Sequence, residues 1–379
     1  MNKISIFIFL LVFFSSSRVF CLDTKAEQAI VINFNTNEIL FEKNANVKVP
    51  PASMTKIMTI YVAFDRISNS DFSINNQCKV SAKAYKMGGS RTFLEIDDYV
   101  TIDTLLKGII IQSGNDASVA LAECLSGTEE NFVKLMNVYS KRLNLENTNF
   151  VNSSGWPDDN HYSSVKDIAI MSNALIKEFP NLFSYFKQLN FSYNGIKQPN
   201  RNKLLNKVEG VDGLKTGFTR KSGWGISVTA LRNERRITIV INGANSSRSR
   251  VNESINLINW AFNQTIQKTI VDKNQLIKNV DVWLGTEPSV NLITDKQLIS
   301  TVSFDQLQFL ESSIEYTRPL AAPIIKGQEY GKLLINIEGK PNIEISLVAE
   351  KNIKKINLIF RTFSAIKYLI FGTSLDEKN

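Results

Sequence analysis

The sequence predicts an α/β (α+β) fold: an antiparallel sheet flanked by helices, followed by a small all-β domain. Three observations carry that prediction. Strand-like and helix-like stretches are interleaved from about residue 22 to residue 262. Strand candidates in that region fall into hairpins joined by short polar turns, which makes them antiparallel neighbours. From 263 to 350 the pattern changes to period-two alternation of apolar and polar residues. A chain of 379 residues, 43% hydrophobic and 21% charged, can bury cores of this size and lacks a disordered or low-complexity composition.

The elements follow in order. Residues 1–21 read as an export signal: Lys3 supplies a positive start, Ile6 to Phe14 is an unbroken apolar run, and Ser15 to Ser17 follow. The run is short of the roughly 20 residues needed to cross a bilayer. Ala29 to Ile32 and Ile39 to Phe41 flank the turn Asn35-Thr36-Asn37 as a hairpin. Pro50-Pro51-Ala52 then leads into a helix starting near Ser53, apolar on every side through Phe64 and therefore central. A second helix begins near Asn115, and Ser164 with Asp167 forms a capping-box-like start for a third. Gly223 to Leu231 and Arg236 to Ile241 pair through Asn233-Glu234. In the later region Leu333, Ile335 and Ile337 share one strand face, and Ile343, Ile345 and Leu347 another.

Composition excludes whole classes of chemistry. The single histidine, His161, leaves no multi-histidine metal centre and no Ser-His-Asp triad unless it supplies the imidazole. Nucleophilic chemistry here needs another base, and lysine is the candidate. There is no C-x-x-C motif; Cys78 and Cys124 could pair, but nothing in their spacing demands it. A net charge of +8 suits anionic polymers or anionic lipid, whereas the lack of arginine clusters interleaved with aromatics argues against nucleic acid.

Three short motifs occur in order: Ser53-Met54-Thr55-Lys56, Ser113-Gly114-Asn115 and Lys215-Thr216-Gly217. S-x-x-K recurs at three other serines and S-x-N at four, so each is weak alone. Only the Ser53 copy opens a buried helix after a Pro-Pro turn, only the Ser113 copy precedes a helix N-terminus, and K-T-G occurs once. The chemistry accounts for the spacing. A serine hydroxyl needs a base, and residues i and i+3 share a helix face, so Lys56 can reach Ser53. Lysine is a base only when neutral; burial lowers its pKa, and Lys215 nearby would lower it further. Ser113 could relay a proton to the leaving group, and Asn115 could position Lys56 or a substrate amide. Lys215 and Thr216, on a sheet edge, could hold a carboxylate. The backbone N–H groups of Ser53 and Phe218 could bind an oxyanion.

With these residues the chain resembles the low-molecular-mass penicillin-binding proteins that act as serine-type D-alanyl-D-alanine carboxypeptidases. Pro51 to Thr59 looks like that family's active-site helix start. Gly88-Gly89-Ser90-Arg91 looks like its mid-domain loop, and Ser113 to Ala117 and Val211 to Gly217 match its motifs. Ala322-Pro323, Gly327-Gln328 and Gly331-Lys332-Leu333 resemble its C-terminal β domain. The resemblance implies a penicillin-binding/β-lactamase-like transpeptidase fold over residues 22–262. It also implies that Arg201 and Arg250 lie near the substrate carboxylate, with Gly217 and Phe218 lining the site. Phe218 is a departure, because family members often have histidine after K-T-G. His161 resembles a structural loop residue.

The implied reaction is removal of the terminal D-alanine from peptidoglycan stem pentapeptides through a Ser53 acyl-enzyme. β-Lactams would act as covalent inhibitors, and no metal or organic cofactor is needed. Alternatives are a DD-endopeptidase or β-lactamase on the same fold, or a non-catalytic wall-binding protein. Residues 351–379, with six Lys/Arg against two Asp/Glu and an apolar stripe from Ile356 to Phe371, read as an amphipathic helix lying on an anionic membrane surface. The expected location is periplasmic, peripheral on the outer face of the cytoplasmic membrane.

Overall fold

The computed structural model describes residues 22–70, 72–357 and 362. The expected export signal and most of the expected membrane-binding tail lie outside these residues. The first domain is built on one antiparallel sheet of five strands: β1 (Gln28–Asn33), β2 (Ile39–Lys43), β3 (Val211–Thr219), β4 (Gly223–Arg232) and β5 (Arg235–Ala244). Their order is β2-β1-β5-β4-β3, so the strand carrying Lys215-Thr216-Gly217 is an edge. Five long helices accompany it: α1 (Lys56–Asn69), α2 (Asn115–Ser126), α3 (Glu129–Arg142), α4 (Val165–Glu178) and α5 (Ser247–Gln264).

Strand alternation divides the core in two. Ile30, Ile32 and Val240 pack with α1, α2 and α4 on one face. Ala29, Val31, Ile237, Ile239 and Ile241 pack with Leu257, Ile258 and Ala261 of α5 on the other. A sheet covered on both faces explains why β5 is buried along nearly its whole length. The β4–β5 connection is Asn233-Glu234, both with left-handed φ (47° and 63°), as a two-residue hairpin turn matched to strand twist requires.

Helix α1 is central, as its all-round apolar surface predicts: Ile57 to Phe64 are fully buried. It begins later than the sequence suggests. Ala52–Thr55 forms a 3₁₀ turn, and the α-helix starts only at Lys56. In 3₁₀ geometry side chains at i and i+3 eclipse, which sets Lys56 in line with Ser53. Ser164 caps α4 by accepting the Asp167 N–H, but the Asp167 carboxylate turns instead to the Asn147 N–H and the Thr148 hydroxyl. Cys124 on α2 is disulfide-bonded to Cys78 on the short strand Gln77–Lys79.

The second domain comprises β6 (Thr265–Val271), β7 (Leu276–Trp283), β8 (Ser289–Thr294), β9 (Leu298–Ser303), β10 (Glu311–Tyr316), β11 (Glu329–Asn336) and β12 (Ile343–Ala349). Leu333, Ile335, Ile337, Ile345 and Leu347 are buried in its core, while Ile343 sits at its margin. This domain continues past residue 350. Ile353 bridges Ile324 and is buried, Lys355 bridges Gly285, and the Ile356 N–H donates to the Leu284 carbonyl. Residues 351–356 are therefore extended chain of the β domain rather than the start of a helix, because burying Ile353 here satisfies both its side chain and its backbone. The two domains meet where Glu38, between β1 and β2, engages Ser300, Thr301 and Lys340.

Candidate active site

The 3₁₀ turn at Ala52–Thr55 is pressed between β3 and β4 on one side and the 153–156 segment on the other. Gly217 lies so near the turn that a Cβ on it would stand 2.9 Å from the Pro51 carbonyl oxygen. A Cβ on Gly225 would meet the Met54 methyl at 2.7 Å. Ala52 takes a left-handed φ of 48°, a conformation that costs an L-residue about 1 kcal/mol or more and that this packing imposes. His161 braces the turn from below. Its Nδ1 accepts the Val151 N–H, so Nε2 carries the proton and donates to the Thr55 hydroxyl at 2.8 Å. Burial drives the imidazole pKa down to about 4, against the pull of Asp158, which keeps it neutral.

Lys56 is fully buried. Its Nζ lies 3.1 Å from Ser53 Oγ, 2.7 Å from Asn115 Oδ1 and 2.5 Å from the Ser154 carbonyl oxygen. Burial drives its pKa down to about 7, and the charge of Asp116 pulls partly the other way. The depression comes from desolvation; the effect of the second cation is felt on Lys215 itself. An amine near neutrality, one hydrogen bond from a hydroxyl, can exchange the proton that activates that oxygen.

Asn115 is fixed at both ends. Its side-chain amide donates to the Gly88 carbonyl while its oxygen accepts from Lys56, and its backbone N–H donates to the Ser90 carbonyl. Ser113 is buried at the turn preceding α2, with a left-handed φ of 69°. Lys215 is buried beside Thr216, whose carbonyl oxygen it bonds at 3.0 Å. Its pKa lies well below that of a free lysine, first through burial and then through Lys56, Arg201 and Arg250. Arg201 is exposed, with Nε bonded to Gln112, whereas Arg250 is buried on α5 with its pKa lowered by burial to about 10. Three cations thus converge at the edge of β3 with no carboxylate among the charges acting on Lys215. An incoming anion would relieve that repulsion. Phe218 is half exposed and turns to stack on Trp224.

The chain matches the D-alanyl-D-alanine carboxypeptidase family over residues 15–246, and the penicillin-binding protein 5 C-terminal domain over residues 266–355. It belongs to the peptidase S11 family of serine-type D-alanyl-D-alanine carboxypeptidases. The D-alanyl-D-alanine carboxypeptidase DacF of Bacillus subtilis is 34% identical over 341 residues, covering 88% of this chain and 87% of its own. DacA of Escherichia coli is 34% identical over 354 residues, covering 91% and 87%. Among solved structures, penicillin-binding protein 5 of Haemophilus influenzae superposes with a TM-score of 0.74 at 31% identity, over 89% of this chain and all of that one. The ampicillin-bound penicillin-binding protein D2 of Listeria monocytogenes superposes with a TM-score of 0.59 at 27% identity, over 64% and 99%.

Residues other than the serine, lysine and asparagine of the three short motifs also hold this cluster in place. The Asp116 carboxylate accepts the backbone N–H groups of Thr92, Phe93, Leu94 and Ala117, tying the loop after Gly88-Gly89 to the start of α2. Ser154 contributes only a carbonyl, which any residue type could supply. The surrounding Asn152-Ser153-Ser154-Gly155-Trp156 is a polar, glycine-containing cluster that marks a built turn without naming its partner. Asn152 Oδ1 gathers the N–H groups of Ser154, Gly155 and Trp156.

Proposed function

We propose that this carboxypeptidase removes the terminal D-alanine from peptidoglycan stem pentapeptides through an acyl-enzyme on Ser53. The observation that carries the reading is the buried Lys56 amine, 3.1 Å from Ser53 Oγ with its pKa near 7. In this reading neutral Lys56 takes the Ser53 proton as Oγ attacks the carbonyl of the penultimate D-alanine. The N–H groups of Ser53 and Phe218 hold the resulting oxyanion, consistent with the close packing of Gly217 on Pro51. Ser113 passes the proton to the departing amine, and Asn115 orients Lys56. Lys215, Thr216, Arg201 and Arg250 hold the C-terminal carboxylate. Water then hydrolyses the ester. A β-lactam would acylate Ser53 in the same way, as the ampicillin-bound form of the Listeria relative suggests.

The test is mass spectrometry of a purified muropeptide pentapeptide after incubation with the protein. Loss of one alanine is expected, absent in Ser53→Ala; an unchanged pentapeptide, or cleavage of cross-linked dimers alone, would refute the reading. Ser53→Ala should also abolish covalent penicillin labelling, and Lys56→Ala should slow acylation by about 10²-fold to 10⁴-fold.

We further propose an exported protein held at the outer face of the cytoplasmic membrane by its C-terminal segment. The Cys78–Cys124 disulfide supports an oxidising compartment. Because residues 351–356 belong to the β domain, the informative truncation removes 358–379. It should leave activity on soluble peptide intact and abolish sedimentation with anionic vesicles; continued sedimentation rejects the anchor.

A further inference from the structure

The guanidinium of Arg250 is held weakly by hydrogen bonds. Nη1 reaches the Gly217 and Gly225 carbonyls at 3.5 and 3.3 Å, both longer than a good N–H···O contact. Nε is buried with no partner among the described residues. What remains is the indole of Trp224, whose centroid lies 5.2 Å from the Arg250 guanidinium carbon. An aromatic face attracts a cation most strongly where water is excluded, and Arg250 is 5% exposed.

Trp224 is itself placed by Phe218. The two are cross-strand partners on β3 and β4, with ring centroids 4.2 Å apart and planes at 29°. Gly223 and Gly225 flank Trp224, so its immediate chain neighbours offer no side chain to brace it. Phe218 makes this contact while remaining 48% exposed, an apolar ring left at the rim of the site. The stack therefore runs from the residue after K-T-G, through Trp224, to a cation beside Lys215.

We propose that Phe218 and Trp224 are positioning residues that set Arg250 for the carboxylate of the substrate's leaving D-alanine. This rests on the reading above in which the Lys215–Arg250 cluster binds that carboxylate. The ring after K-T-G acts by stacking and needs no titratable nitrogen, which is how phenylalanine serves where histidine is common.

The test is a double-mutant cycle of Phe218→Ala and Arg250→Ala, read as kcat/KM on a D-Ala-D-Ala peptide and as the second-order acylation constant of a penicillin. Phe218→Ala alone should lower both constants about fivefold, mainly through weaker binding. In the Arg250→Ala background it should cost less than about twofold. Phe218→His and Phe218→Tyr should recover most of the loss. Equal factors in both backgrounds, no loss in Phe218→Ala, or no recovery by the aromatic variants would overturn the positioning role. If wild-type protein fails to cleave the peptide while the penicillin cycle still shows coupling, the carboxypeptidase reading fails and the positioning role stands.

Discussion

Gly155 approaches the backbone of Ala52 so closely that a Cβ on it would lie 1.9 Å from the Ala52 carbonyl oxygen. Its φ of +79° would strain any other residue as well. This contact seats the Ser154 carbonyl against Lys56 Nζ, so the placement of that amine depends on the neighbouring glycine. Gly155→Ala should lower kcat by at least tenfold and destabilise the fold by about 2 kcal/mol or more. Steady-state kinetics with urea unfolding checks both; an unchanged kcat would show that the turn yields without moving Lys56.

The pKa of Lys56 sets the pH dependence. In the proposed reaction Lys56 acts as the neutral amine, so kcat/KM should rise with pH to an inflection near 7. Loss of the Lys215 proton, which burial and the neighbouring cations bring to a pH well below the 10.5 of a free lysine, should lower kcat/KM. The same shift acts on stability. Between about 7 and 10.5 the unfolded chain holds a proton on Lys56 that the folded chain lacks, so stability increases with pH across that window. The penalty is complete below the window and absent above it. Lys56→Met should show a smaller rise between pH 7 and 10 than wild type, by up to about 1.4 kcal/mol per unit, as measured by urea unfolding at each pH.

Much of this was legible from local pattern. The sheet, its helices and the β domain follow from alternation and apolar periodicity, because burial on one or two faces writes itself into residue type. Ser53, Lys56 and Asn115 were legible because their chemistry restricts the side chain. Ser154 was not, since only its backbone matters, and neither was the left-handed Ala52, whose conformation is imposed from outside by Gly155, Gly217 and Gly225. Asp116 lay inside a recognised motif, yet three of its four N–H partners sit on a loop more than 20 residues away. Ile353 kept helical spacing with the residues after it, but a buried place in the β core decides its conformation.

The disulfide between Cys78 and Cys124 closes a sequence separation of 46 residues and ties α2, which begins at Asn115, to the short strand Gln77–Lys79. Loop-closure entropy for such a span amounts to about 4 kcal/mol at most, with 2–4 usual. Reduction, or Cys78→Ala with Cys124→Ala, should lower unfolding free energy by about 2 to 4 kcal/mol while penicillin labelling of Ser53 persists at 25 °C. Loss of labelling in protein that remains folded would mean that the bridge positions Asn115 as well as stabilising α2.

Glu38 joins the two domains by accepting from the Ser300 hydroxyl, the Thr301 N–H and the Lys340 ammonium. Burial pushes its carboxyl pKa up, but Lys340, Ser300 and Thr301 together outweigh that and hold it below the usual 4.5. The junction is therefore complete above pH 4.5 and weakens as pH falls through the lower folded value. Lys340 is only 16% exposed, so Glu38→Ala would leave a largely buried ammonium without its carboxylate, a change that costs about 3 kcal/mol. The loss should fall on the junction: hydrogen exchange in β6 and β9 should accelerate at pH 7, while the rate of Ser53 acylation stays within about twofold of wild type. Unchanged exchange there would assign the coupling of the domains to the neighbouring Asn33 contacts with Thr301 and Gln267 instead.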